Sequence, residues 1–114
     1  MSLSDAIRGY IDLMVLFVLY DKPSYGYRIS KDISELTENQ YNIKNTTLYS
    51  ALERLVKKGD LESFHGTETN GKQRTYYRIT EEGRKSYSDK CADWRKTNQI
   101  IEHFLREGEE HGYD

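Results

Sequence analysis

The chain has 114 residues, 32% of them charged, a formal net charge of −2 and a single cysteine, Cys91. That length bounds it to one domain, or one domain with an added helix. One cysteine excludes an internal disulfide and a Cys-rich zinc site and fits a reducing compartment; residues 1–12 hold Asp5, Arg8 and Asp12 with no cleavage pattern, so no signal peptide is expected and the cytoplasm is.

The first element is a helix over residues 4–20, where Ile7, Tyr10, Ile11, Met14, Phe17 and Val18 recur at helical spacing. Its second half is apolar all round, as in a helix buried on most sides. The apolar run from Leu13 to Tyr20 is far shorter than the ~20 residues that span a membrane, so no membrane partner is expected. Asp21-Lys22-Pro23 ends the helix, because proline disfavours helix at the residue before it. Ser24 is expected to cap a second helix with the apolar face Ile29, Ile33 and Leu36. After a polar stretch over 37–42, a third helix is expected over 45–58, with Asn45 as its cap and Gly59 as its stop.

Two strands follow, over 61–66 and 73–79, around Asn70-Gly71, the strongest short hairpin signal. With those two residues as the loop, Phe64 pairs with Tyr77 and His65 with Tyr76. Leu61 then lies on the face opposite Phe64, which allows a bulge or slip near the strand's start. Thr80 caps a last helix reaching about residue 107, with Glu81 and Glu82 suiting its positive N-terminal end. At 1.5 Å per residue that helix is roughly 40 Å long, more than so small a domain covers.

Charge is distributed unevenly. Residues 1–43 sum to −2, residues 44–80 to +3 and residues 81–114 to −3. The basic segment is where a nucleic-acid surface is sought first. On the third helix Leu48, Leu52 and Leu55 form the core stripe, and the opposite face carries Thr46, Ser50, Glu53, Arg54 and Lys57. Short hydroxyls near the N-terminus let a backbone come close to DNA, and Arg54 reaches a guanine edge or a phosphate. Glu53 is the awkward member, accepting from cytosine or repelling DNA. Downstream, Lys72, Gln73 and Arg74 give the hairpin a basic tip suited to phosphates. Either feature alone is compatible with an ordinary solvated surface; their combination favours DNA contact. Three helices and then a hairpin is the order of a winged helix, whose third helix enters the major groove.

At these residues the sequence resembles the PadR-like transcriptional regulators, in their short form with one C-terminal helix. The matching stretches are YGYRIS (Tyr25 to Ser30), TLYSALERLVKKGDLES (Thr47 to Ser63) and RTYYRITEEGR (Arg74 to Arg84), in the family's order and spacing. Ser50 departs from the pattern, since the family usually has proline there. The resemblance implies a mainly α fold with a small β-hairpin: a winged helix-turn-helix over residues 1–80, then a dimerisation helix and acidic tail over 81–114. It implies a homodimer that represses transcription and is released by a small effector. It also implies DNA contact from Tyr25, from Thr47, Tyr49 and Ser50, and from the wing. Lys44, Asn45 and Thr46 at the start of the third helix, with Arg54, Lys72 and Arg74, complete the candidate set for double-stranded DNA.

In the last helix Tyr87, Cys91, Trp94, Asn98, Ile101 and Leu105 are spaced 4, 3, 4, 3 and 4, a heptad seam. A second copy of the chain is its simplest partner, and a symmetric dimer presents two reading helices to a palindromic site about 34–36 Å apart. Asn98 in a seam fixes register at some cost in stability. Trp94 reads at least as well as a core tryptophan at that interface; alternatively, two Trp94 rings across a dyad sandwich a flat aromatic effector, with Asn98 beside them. Cys91, on the same seam, reads as a small buried hydrophobe. Ile7 and Ile11 would let the first helix join the interface. No catalytic constellation, cofactor motif or metal site is expected: His65, His103 and His111 have no ligand spacing. The competing reading is a winged-helix module that binds protein and has lost DNA binding, which Glu53 and a pI near 5.9 favour.

Overall fold

Aliphatic side chains from three of the helices and the base of the hairpin meet in one buried cluster. The computed structural model describes residues 3–67 and 70–106, so the acidic tail expected over 107–114 lies outside the described residues. The cluster is built from Val15, Leu16, Leu19, Ile29, Ile33, Leu48, Leu52, Leu55, Leu61 and Ile79, with Tyr41 and Ile43 closing one side. Each such aliphatic side chain taken fully out of water contributes about 1.5–3 kcal/mol.

Periodicity predicts one helix over 4–20, but the structure has three pieces: α1 (Leu3–Ile7), a 3₁₀ turn (Arg8–Tyr10) and α2 (Ile11–Val18). The interruption falls at Gly9, a residue that weakens a helix by about 1 kcal/mol relative to alanine, and at Tyr10, whose φ of −113° and ψ of 5° leave the helical region. Nor is the second half buried on every side: Phe17 is 49% exposed.

Ser24 does not cap a helix. It and Tyr25 form a two-residue strand, β1, and the helix α3 runs over Gly26–Leu36 without a side-chain cap at its N-terminus. Gly26 is required at this place, because a side chain there would collide with the ring of Tyr49. The third expected helix, α4, spans Asn45–Lys58. Its N-cap is Lys44, which makes no capping bond, and Asn45 is already the first helical residue. At the other end Gly59 has φ 87°, its N–H donates to Val56 O at 3.0 Å, and Asp60 N–H donates to Leu55 O at 2.9 Å. This is the paired bonding of a Schellman stop.

The sheet has the order β1-β3-β2, all antiparallel, with β2 at Leu61–Thr67 and β3 at Gln73–Ile79. The hairpin register differs by one residue from the expected one: Phe64 pairs with Tyr76 and His65 with Thr75. The core sets this. Leu61 and Ile79 are direct partners, 2% and 6% exposed, whereas the expected register would have left one of them on the solvent side. The ladder runs from Leu61 to Thr67 without a slip. Ahead of β3, Asn70 Oδ1 accepts from Lys72 N–H at 3.0 Å and Gly71 has φ 84°, the local bonding and backbone of a turn.

The last helix, α5, spans Glu81–Glu102 and not to 107; its end tightens into i→i+3 bonds from His103, Phe104 and Leu105. It starts at a dense junction. Thr80 Oγ accepts from Gly83 N–H at 3.0 Å and shares its own proton between Gly59 O at 2.6 Å and Asp60 O at 3.1 Å. Asp60, 3% exposed, accepts from Ser86 Oγ at 2.9 Å. Any Cβ at Gly83 would overlap the Asp60 carbonyl and Ile79. Gly83→Ala is therefore expected to cost about 2 kcal/mol, as overpacking does, and to lower the melting temperature by roughly 10 °C at fixed protein concentration. An unchanged thermal melt would show that the junction yields.

Candidate nucleic-acid interface

The buried stripe of α4 turns its opposite side to solvent. Thr46, Ser50, Glu53, Arg54 and Lys57 are exposed, as are Lys44 and Asn45 at its start; Thr47 is half-buried. Tyr49 is 45% exposed and lays its ring against Gly26, so the start of α4 is braced on the start of α3.

Next to Gly26 is Tyr25, whose ring lies 4.3 Å beneath the Arg74 guanidinium. Tyr25 is also edge-on to Tyr76 at 5.5 Å, Tyr76 stacks on Phe64 at 5.7 Å, and Arg78 covers Phe64 at 4.5 Å while pairing with Glu62 at 2.8 Å. The outer face of the hairpin is thus a continuous run of rings and guanidinium groups. Alternation along β3 puts Arg74, Tyr76 and Arg78 on that one face. Gly66 makes room: a side chain there would occupy the space of the Tyr76 ring. Burial, then the neighbouring Tyr49 and Glu53, raise the pKa of Tyr77 on the opposite face, which packs toward α4.

Two groups of predicted residues are brought together. Lys44, Asn45, Thr46, Tyr49 and Ser50 occupy the N-terminal end of α4, and Tyr25 with Arg74 forms a second group joined to the first through Gly26. Lys72 is exposed at the hairpin tip. Arg54 stands apart. Its guanidinium donates to both carboxylate oxygens of Asp12 on α2, at 2.6 and 3.4 Å, and that bond is the main cause of its raised pKa. It is held toward the first helices by an internal carboxylate. Asp12, Phe64, Gly66 and Tyr76 were not singled out as a set from the sequence. The signal present was a glycine inside a strand pattern, which often marks close approach.

The seam residues divide into two groups. Tyr87 packs on Phe17 and Tyr20, with centroids 6.2 and 5.3 Å away, and Trp94 meets Tyr10 edge-on at 6.3 Å. Cys91 lines an open groove with Tyr10, Leu13, Trp94 and Arg95. A hydrogen bond with the Cys91 thiol, more than burial, raises the Tyr87 phenol pKa. The first half of the seam thus already packs on its own chain's α2, while Asn98, Ile101 and Leu105 are exposed. Among the described residues no His, Cys, Asp and Glu group has the arrangement of a metal site, and no helix is long and apolar enough to cross a membrane.

A helical head with a reading-type helix, a basic-tipped wing and a long trailing helix defines a winged-helix DNA-binding transcriptional regulator. Residues 15–89 match the model of the transcriptional regulator PadR-like family, and the chain belongs to that family, whose members are regulators and not enzymes. A transcriptional regulator from Clostridium thermocellum is 50% identical, with a TM-score of 0.84 over 90% of this chain and 100% of that one. A PadR family regulator from Clostridium difficile is 32% identical, TM-score 0.75, over 86% and 100%. An uncharacterized protein of Lysinibacillus sphaericus is 41% identical over 102 residues, 90% of this chain and 94% of its own.

The aromatic face yields a prediction. Gly66→Val pushes the Tyr76 ring off β2 and separates the wing from Tyr25. Amide exchange is expected to rise over residues 61–67 and 73–79 while the helical core keeps its protection, with a global loss of at most about 1 kcal/mol, because the hairpin tip opens locally. Uniform loss of protection in α2 and α4 would contradict this.

Proposed function

We propose that the protein is a cytoplasmic repressor that acts as a homodimer on a palindromic operator and is released by a small planar aromatic effector. The observation that carries the DNA face is the continuity of Arg74, Tyr25, Gly26 and Tyr49: it joins the wing to the exposed N-terminal end of α4. Lys44, Asn45, Thr46, Thr47 and Ser50 then meet base edges and the flanking backbone, and Arg74 and Lys72 meet phosphates. Small hydroxyls at that end favour DNA over a protein partner, which is more often met by aromatic and arginine anchors in a pocket. Arg54, tied to Asp12, has the weaker role of the two cationic positions. Local positive charge suffices on a chain of net charge −2, since phosphate neutralisation acts over a Debye length of about 8 Å at physiological salt.

The effector reading rests on Trp94, which is 42% exposed, lines the groove with Cys91 and lies one helical turn before Asn98. Two such rings near a dyad offer stacking surfaces to a flat ligand. A ligand releases DNA only to the extent that it binds the DNA-free arrangement more tightly.

Fluorescence anisotropy against DNA from the gene's own upstream region, with random duplex as competitor, tests the first part. A preference of about 10³ or more for one site is expected. Lys72→Ala is expected to weaken binding to both duplexes and reduce the salt slope by about 1, whereas Thr46→Ala weakens only the specific complex. Equal, salt-labile binding to every duplex would overturn a sequence-reading role. For the effector, calorimetry with an acridine dye in the absence of DNA is expected to give binding that Trp94→Ala abolishes, with operator affinity unchanged. Retained dye affinity in that variant would remove Trp94 from the site.

A further inference from the structure

Thr46, Ser50 and Arg54 recur every four residues and so share one side of α4. Arg54 is the first cation along that helix, about 12 Å further on than Thr46. The fold has already engaged it. Asp12 on α2 takes its Nη2 at 2.6 Å and its Nε at 3.4 Å, the whole of one edge of the guanidinium. The carboxylate is 16% exposed and the arginine 50%, so the pair sits at the rim of the contact between α2 and α4 with the cation on the outside. The two helices do not depend on it to pack, since Val15, Leu16, Leu48 and Leu52 are fully buried in the cluster that joins them. A half-exposed ion pair adds little to stability, so its consequence lies in what it withholds.

We propose that Asp12 is an internal competitor for the DNA backbone: it holds Arg54 in a neutral pair and so sets how tightly the protein binds any duplex. This rests on the DNA-binding reading above. The competition is between like acceptors. A carboxylate and a phosphate diester each offer two oxygens that share one negative charge, and a guanidinium fork binds either in the same bidentate manner. Asp12 is tethered beside Arg54, whereas a phosphate must be brought there, so the carboxylate has the advantage of effective concentration. While the pair holds, its charges cancel and it neutralises no phosphate. Without the carboxylate, Arg54 would project beside Lys57 and Lys58, which line the same open hollow between α4 and the hairpin with Ser63 and Tyr77. The three cations would then form one phosphate-binding patch. Glu53 opposes them in that hollow, but its charge is the same in every variant below and drops out of the comparison. One cation returned to the interface steepens the dependence of log affinity on log salt by about 0.9, which at physiological salt amounts to roughly fivefold.

Anisotropy titrations of a labelled random duplex, at salt concentrations from about 50 to 200 mM, test this. Asp12→Asn keeps the shape of the side chain and removes its charge. It is expected to bind about fivefold more tightly than the parent at physiological salt, with a salt slope steeper by about 0.9. Arg54→Ala is expected to stay within about twofold of the parent, because a masked cation contributes little, and Asp12→Asn/Arg54→Ala is expected to lose the gain. Asp21→Asn removes an exposed carboxylate and changes the net charge equally. It is expected to give less than about twofold, since charges beyond a Debye length are screened. Asp12→Glu, which retains the charge, is expected to behave as the parent does. If Asp12→Asn lowers the thermal melt and leaves the salt slope unchanged, the pair is only structural and the proposal is overturned. Weaker binding by Asp12→Asn, or a loss of about fivefold or more in Arg54→Ala alone, shows that Arg54 already meets DNA in the parent and overturns it as well. A gain that Asp21→Asn reproduces, or that persists in the double variant, belongs to net charge and overturns the competition. Absence of parent binding to every duplex at the lowest salt overturns the DNA reading itself together with this one.

Discussion

Everything after residue 58 is positioned by the hydroxyl of Thr80. It bonds to the carbonyls that end α4 and accepts the N–H that begins α5, while the strand leading to it is the inner strand of the sheet. Reading helix, wing and trailing helix thus converge on one turn of backbone. Most of its groups are partnered in the interior: Asp60, 3% exposed, accepts from Ser86 through one carboxylate oxygen while the other is buried without a partner, and Gly83 has no room for a side chain. A buried junction of this kind tolerates little displacement, because each bond lost leaves a polar group stranded in an apolar setting.

The hairpin face is arranged differently. Its order comes from flat rings stacked in the open, from Arg78 across Phe64 and Tyr76 to Tyr25 and Arg74. Such contacts are individually modest and permit small rotations. The hairpin is thus held by softer contacts than the aliphatic core that carries it. Asp12 adds a restraint of another sort by holding Arg54 in a bidentate pair, so one of the cations on α4 is balanced within the fold.

Much of this was legible in the sequence, because the strongest signals were local. The span of α4, its glycine stop, the threonine cap of α5 and the leucine stripe follow from propensity and period. What was missed depended on distant partners. The hairpin register was set by burial of Leu61 opposite Ile79, one residue away from the register that Asn70-Gly71 as a two-residue loop would give. Ser24 went to a strand because β3 was there to pair with it, and a cap became a bridge. The Arg54–Asp12 pair and the Arg74–Tyr25 stack link positions 42 and 49 residues apart, beyond any periodicity. The break at Gly9 is the exception, a local signal outweighed by a convincing apolar repeat.

Because Thr80 and Gly83 leave no slack between head and tail, α5 behaves as a keyed shaft. Its distal surface is in fixed angular phase with α4, and only the count of residues between them sets that phase. One residue added between Gly83 and Tyr87 would turn the far end by about 100°, and seven would restore the phase to within about 20° while lengthening the shaft by about 10 Å. In a chain built this way, changes in helix length are quantised: whole heptads preserve which face meets a partner, and anything else points it elsewhere.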